Sequence, residues 1–239
     1  MKKLAIGLTL ITCLGMAGCS QKVVPKPTIP TPPAITNNIS KNIVVDTTVT
    51  NSTQAINLLK EGNKRFVQND SELININSER RNLLKNGQHP YATLVSCSDS
   101  RVTPSLVFNA GLGELFDVRL AGNIVDRDAL GSIEYAVNHL QCPLVVVMGH
   151  QNCGAVTATY DVVVKGEKVE GNLQAVIDEI KPSINPKGTI NDAINTNITR
   201  MVEIIKADPV IQEKIKDGKV DVVGAYYNLD GTVTFNNGK

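Results

Sequence analysis

The sequence predicts an α/β fold: a mainly parallel central β-sheet flanked by helices, with a helical arm at its N-terminal side. Three observations carry that prediction. Short apolar runs alternate with longer segments whose apolar residues recur every three or four positions. The runs are hydrophobic throughout, as in Leu144-Val145-Val146-Val147-Met148, the pattern of strands covered on both faces. Sulfur-bearing and polar residues then crowd just after two of those runs, where parallel sheets collect their ligands.

The 239 residues begin with Met1-Lys2-Lys3, an apolar run from Leu4 to Leu14, and Ala17-Gly18-Cys19. The run is short for a membrane span, and small residues before a cysteine suit a cleavage site. Residues 1–18 therefore read as a secretory signal peptide. Residues 19–51 hold Pro25, Pro27, Pro30, Pro32 and Pro33, then a Thr/Asn-rich stretch with no period that could bury a face. They read as an extended tether. Residues 52–239 remain as one globular domain. The net charge of +1 gives no reason to expect a nucleic acid partner.

Within that domain, Ala55, Leu58, Leu59, Gly62 and Phe66 form one stripe of an amphipathic helix. A second helix is expected over about 78–86, ending at Gly87. Strands follow near 91–96, 115–119 and 143–148. Leu130, Ile133, Val137 and Leu140 mark a crossover helix between the last two. Further helices are expected from Cys153 to about Val164, around Leu173–Ile180, and over about 190–205. Val220–Tyr227 and Thr232–Phe235 make a final strand pair around Asn228-Leu229-Asp230-Gly231, a turn signal. Asp117 is out of place in its apolar strand.

The chemistry sits in Cys97-Ser98-Asp99-Ser100-Arg101 and His150-Gln151-Asn152-Cys153. If both stretches end neighbouring strands, Cys97, His150 and Cys153 converge at one sheet edge. Two thiolates and one imidazole suit Zn²⁺ and leave a fourth position for water or for the Asp99 carboxylate. Arg101 is placed to compete for that carboxylate. A purely structural zinc site would close with a fourth Cys or His. Cys142 reads as a small buried hydrophobe, His89 as a loop residue and His139 as part of the crossover helix. Cys153 lies where a helix begins, which favours its thiolate. Gly154 removes a side chain beside the metal.

These motifs, with the 55–66 helix, Gly113-Glu114-Leu115-Phe116, Ala121-Gly122-Asn123, Gly149-His150 and Cys153-Gly154-Ala155-Val156, resemble the β-class carbonic anhydrases in the right order along nearly the whole globular part. The resemblance implies one Zn²⁺ per chain and reversible hydration of CO₂ to bicarbonate and a proton by zinc-bound hydroxide. It implies Asp99 and Arg101 as a catalytic dyad, with Asp99 the fourth metal ligand in a closed state, and Val102 and Gly154 beside the substrate. It also implies a homodimer or a multiple of dimers, with the first helix packed on a partner subunit. Metal-lowered water pKa values are best known from carbonic anhydrases with three neutral histidine ligands. Two thiolates should leave the water less acidic than that. One branch of the family carries an inhibitory bicarbonate pocket built on a Trp and a Gly where this chain has Leu94 and Ser96, which argues against regulation of that kind. The N-terminus resembles a bacterial lipobox with Cys19 as the lipidated residue, implying export and anchoring to a bacterial membrane by lipid alone. Relatives on the same scaffold hydrolyse carbon disulfide or carbonyl sulfide, so that activity, and a non-enzymatic zinc-binding lipoprotein, stand as alternatives.

Overall fold

A computed structural model describes residues 49–71 and 76–236. The expected signal peptide, most of the tether and Cys19 lie outside the described residues. Among the described residues, no helix is long and apolar enough to cross a membrane.

Five strands form one sheet in the order β2-β1-β3-β4-β5: β1 (Ala92–Ser96), β2 (Leu115–Arg119), β3 (Leu144–His150), β4 (Asp221–Tyr227) and β5 (Val233–Asn236). The first four are parallel, and β5 runs antiparallel to β4. All residues of the central strands β1 and β3 are buried. This is why they read as unbroken apolar runs rather than as alternations.

The two faces of the sheet carry separate cores. Val95, Val145, Val147 and Val222 pack with α4 (Arg127–Asn138), α5 (Gly154–Lys165), α6 (Leu173–Ile180), α7 (Ile190–Ala207) and α8 (Pro209–Lys216). Leu94, Val146, Met148 and Ala225 pack on the other face with α1 (Ser52–Val67) and the short α3 (Pro104–Val107). The remaining helix, α2 (Ser78–Leu83), continues as a 3₁₀ turn to Asn86 and buries none of its residues. Asp117 is exposed on the edge strand β2. A charged side chain there discourages pairing with another chain.

Residues of the apolar stripe of α1 pack on their own domain. Ala55 and Leu59 are fully buried with Phe108 and Val107. Gly62 lies against the backbone of Phe108, where a methyl group would overlap the carbonyl oxygen. At the next position, the buried Asn63 amide donates to the carbonyls of Val107 (3.1 Å) and Gly231 (2.8 Å) and accepts from the Val233 N–H (3.0 Å). Gly62→Ala forces backbone apart from backbone and is expected to cost about 2–3 kcal/mol. Urea denaturation would read this, and an unchanged midpoint would mean that α1 is not seated as described.

The candidate metal centre

Strand order assembles the site. β1 leads to α3 on one face of the sheet, whereas its neighbour β3 leads to α5 on the other. The crevice between such diverging connections is where α/β sheets bind ligands. Ser96 is in register with Met148, so Cys97 leaves β1 beside the end of β3, where His150 is the last strand residue. Cys153 follows as the N-cap of α5.

The three ligand atoms of Cys97, His150 and Cys153 lie within 4.8 Å of one another, and all three residues are buried. His150 Nδ1 is 3.0 Å from the Gln151 carbonyl oxygen, so that nitrogen carries the hydrogen. Nε2 is then left with a lone pair, is buried, and has no hydrogen-bond partner. An unpaired buried imidazole nitrogen between two sulfurs is costly unless something with positive charge fills the gap. The donor set is that of Zn²⁺, with both sulfurs soft and the histidine tautomer fixed by a carbonyl behind it. The fit holds on chemistry as well as on proximity.

The cysteines are not equivalent. The Cys153 thiol and the Gly122 and Asp99 N–H groups pull the Cys97 pKa down to about 4, against the opposing effect of burial. The two N–H groups lie 3.3 and 3.4 Å from its sulfur. Cys153 is pushed the other way, by Cys97 and by burial. Amides of Ala155 and Val156 at the start of α5 favour its thiolate but are outweighed. The helix start thus favours the Cys153 thiolate, as expected, but Cys97 and burial outweigh it, so of the two thiols Cys97 ionises first. Zn²⁺ uptake near neutral pH should therefore release about one proton from the pair rather than two. Titration calorimetry in buffers of different ionisation enthalpy counts them, and a value near two would mean both thiols start protonated.

Asp99 is partly exposed at the mouth of this cluster, paired with Arg101. Its Oδ1 accepts from the Arg101 backbone N–H and Nε (both 2.9 Å), and its Oδ2 from Nη2 (2.7 Å). This two-pronged contact holds the carboxyl well below the usual carboxylate range. Its Oδ2 is 4.0 Å from His150 Nε2, so the same carboxylate faces the ligand cluster while Arg101 holds it. Gly154 opens α5 beside Cys153, and a side chain there would meet open space. Val102 is fully buried, and its N–H donates to the Asp99 carbonyl (3.0 Å).

Two contributors were not legible as such. Gly122 gives its N–H to Cys97 with φ of 70°, and a Cβ there would press on Ile180 and Ala155. Arg119, at the end of β2, grips the loop that carries Asp99. Elsewhere the expectations stand. Cys142 is buried beside Thr93, His89 is exposed, and His139 caps α4 with its ring stacked on Tyr135. A groove of about 790 Å³ opens at the opposite end of the strands, past Tyr91, Gln141 and Lys219, and touches none of the site residues.

Fold and site define an α/β protein with a buried metal-type centre of two cysteines and one histidine at its sheet edge. A sequence model of the carbonic anhydrase family matches residues 92–233, more than half of the chain. Carbonic anhydrase 2 of Mycobacterium tuberculosis is 37% identical over 187 residues, covering 76% of this chain and 90% of its own. The carbonic anhydrase of Mycolicibacterium smegmatis is 37% identical over 191 residues, covering 77% and 92%. The chain belongs to the carbonic anhydrase family, in its β class, and is an enzyme of that family. The solved β-carbonic anhydrase of Coccomyxa, in complex with acetazolamide, superposes with a TM-score of 0.59 at 26% identity, over 66% of this chain and 77% of that one. A tetrameric β-carbonic anhydrase of Sordaria macrospora shares the fold, with a TM-score of 0.60 at 24% identity over 67% and 87%.

Proposed function

We propose that the protein catalyses reversible hydration of CO₂ to bicarbonate and a proton, with one Zn²⁺ held by Cys97, His150 and Cys153. The observation that carries this is the buried, unpartnered His150 Nε2 between two sulfurs, with an arginine-held carboxylate at its mouth. When bound, Zn²⁺ lowers the pKa of its water and makes a nucleophile available near neutral pH. The residues do the rest. Cys97 and Cys153 contribute negative charge, and the Gly122 and Asp99 amides keep the Cys97 sulfur in place. Asp99 accepts a hydrogen bond from the attacking water and orients its lone pair toward the CO₂ carbon. Arg101 keeps Asp99 in that role by holding its carboxylate away from the metal position. The space beside Gly154 admits the substrate, and Val102 contributes apolar surface beneath the loop.

Stopped-flow CO₂ hydration, with and without prior metal removal, tests this. A chelator-sensitive rate supports it. Sulfide release from carbon disulfide without CO₂ turnover would favour the hydrolase alternative, and stoichiometric zinc without either activity a binding protein.

The remaining proposals concern the setting of the enzyme. The domain from Ser52 is attached through the 19–51 tether to an acylated Cys19 and held at a bacterial membrane, on the cell-surface or periplasmic side. The apolar run and Ala17-Gly18-Cys19 support this. Mass spectrometry of the membrane fraction should find the acylated cysteine, and a mature chain starting elsewhere would refute it. Assembly as a dimer or multiple of dimers is supported by the tetrameric Sordaria relative. A monomer by light scattering at micromolar concentration would count against it.

A further inference from the structure

The loop from Cys97 to Val102 makes a tight reversal between β1 and α3, and it leaves three backbone carbonyls turned toward β2. Buried or half-buried carbonyls must find donors. One side chain supplies them. The Arg119 guanidinium donates from Nε and Nη2 to the Cys97 carbonyl (both 3.2 Å), and from Nη2 to the carbonyls of Asp99 (2.9 Å) and Val102 (2.7 Å). These are the first, third and last residues of the loop. Asp99 and Arg101, the ion pair at the mouth of the site, lie between the outer two points of attachment.

We propose that Arg119 is a positioning residue for the dyad: by clamping the loop at three carbonyls, it holds the Asp99 carboxylate on Arg101 and off the metal position. The inference deepens the proposed zinc site and rests on it. The geometry explains why one arginine is not enough. Arg101 is exposed and makes its bond to Asp99 from a side chain that is half in solvent. A carboxylate with an open metal coordination position close by needs only a small shift to reach it, since Asp99 Oδ2 is already 4.0 Å from His150 Nε2. The backbone of Asp99 must move or turn for that shift, and Arg119 grips its carbonyl. The grip is charge-assisted, and a planar fork reaches several acceptors that a single ammonium cannot. Arg119 touches neither ligand sulfur nor the Asp99 carboxylate, so it acts only through the loop.

The test uses the full-length protein with Co²⁺ in place of Zn²⁺ and azide as the probe. Azide changes the visible cobalt spectrum only where a coordination position is open. Wild type should bind one Co²⁺ per chain and respond fully to azide. Failure at that step overturns the metal reading itself. Arg119→Gln should keep its metal, lose about ten- to a hundredfold in CO₂ hydration, and lose most of its azide response, because Asp99 has taken the open position. Adding Asp99→Asn to that variant should restore the azide response without restoring the rate. Arg119→Lys, the milder change, should fall between wild type and Arg119→Gln in azide response. A full azide response in Arg119→Gln, or a lost response that Asp99→Asn does not restore, overturns the proposal. If Arg119→Gln does not fold, a wild-type response in Arg119→Lys overturns it equally.

Discussion

Replacing Cys153 by serine is expected to remove nearly all bound zinc and to lower CO₂ hydration by roughly a thousandfold, ~4 kcal/mol of barrier. The serine hydroxyl is a hard donor whose proton does not leave near neutral pH, so the site keeps one thiolate and one imidazole, too few for a tight zinc centre. The loss is also felt at Cys97. Its thiolate is favoured most by the Cys153 thiol and then by the Gly122 and Asp99 amides. Circular dichroism should show the fold retained, because strands β1 and β3 are held by apolar cores on both faces of the sheet. Elemental analysis decides the matter, and full zinc retention in this variant would sink the ligand assignment.

The second large effect is expected from Arg101→Ala. This variant should keep its zinc and lose about a hundredfold or more in rate, ~2.7 kcal/mol. Arg101 is the first cause of the low pKa of Asp99. Removing it raises that pKa toward the ordinary carboxylate value, which still leaves Asp99 ionised at neutral pH. A charged carboxylate that has lost its partner, 4.0 Å from His150 Nε2, is drawn to the metal position. The expected end state is a four-ligand site of Cys97, Asp99, His150 and Cys153. The sign of the pH effect follows from the same shift. Because the folded pKa of Asp99 is depressed, its pair with Arg101 adds stability above the ordinary carboxylate pKa and loses it only as strong acid protonates the group. Acid inactivation in the mildly acidic range must then come from the water that has to give up its proton, so wild-type activity should rise with pH through neutral to mildly alkaline values. Rates at several pH values and a crystal structure of Arg101→Ala test both halves. Near-normal rates with Asp99 turned away from the metal would show that the dyad is not the switch.

Much of this was readable in the residues, for identifiable reasons. Strands β1 and β3 are buried on both faces, so their apolar runs carry no ambiguity of face, and the ligands at their ends stand out against them. Helices α4, α6 and α7 each bury one stripe and show its period. The unread parts lack such signals. Four residues in α3 are too few for any period. The start of α8 is marked in the sequence only by Asp208-Pro209, a side-chain cap followed by proline at the first helical position, with too short a helix behind it to show a period. Periodicity showed that α1 has an apolar stripe but not which surface receives it. Asp117 makes sense only once strand order puts β2 at the edge. Arg119 was hidden because its partners are backbone carbonyls, which every residue has. The unequal charges of Cys97 and Cys153 depend on where two amides and one thiol point, and spacing does not encode that.

The Asn63 amide has a consequence for how the chain is made. Its three partners are Val107, Gly231 and Val233, so the segment synthesised first in the domain is completed by the segment synthesised last. As the chain emerges N-terminus first, α1 can form its own turns and can dock on Phe108. Two of the three hydrogen bonds of Asn63 must wait for the hairpin that joins β4 to β5. Closing a contact across 170 positions carries a large loop entropy, which is recovered only when the sheet is already in place. The N-terminal helix is thus the last piece locked, and the few residues from Gly231 to Val233 act as the latch that closes the domain.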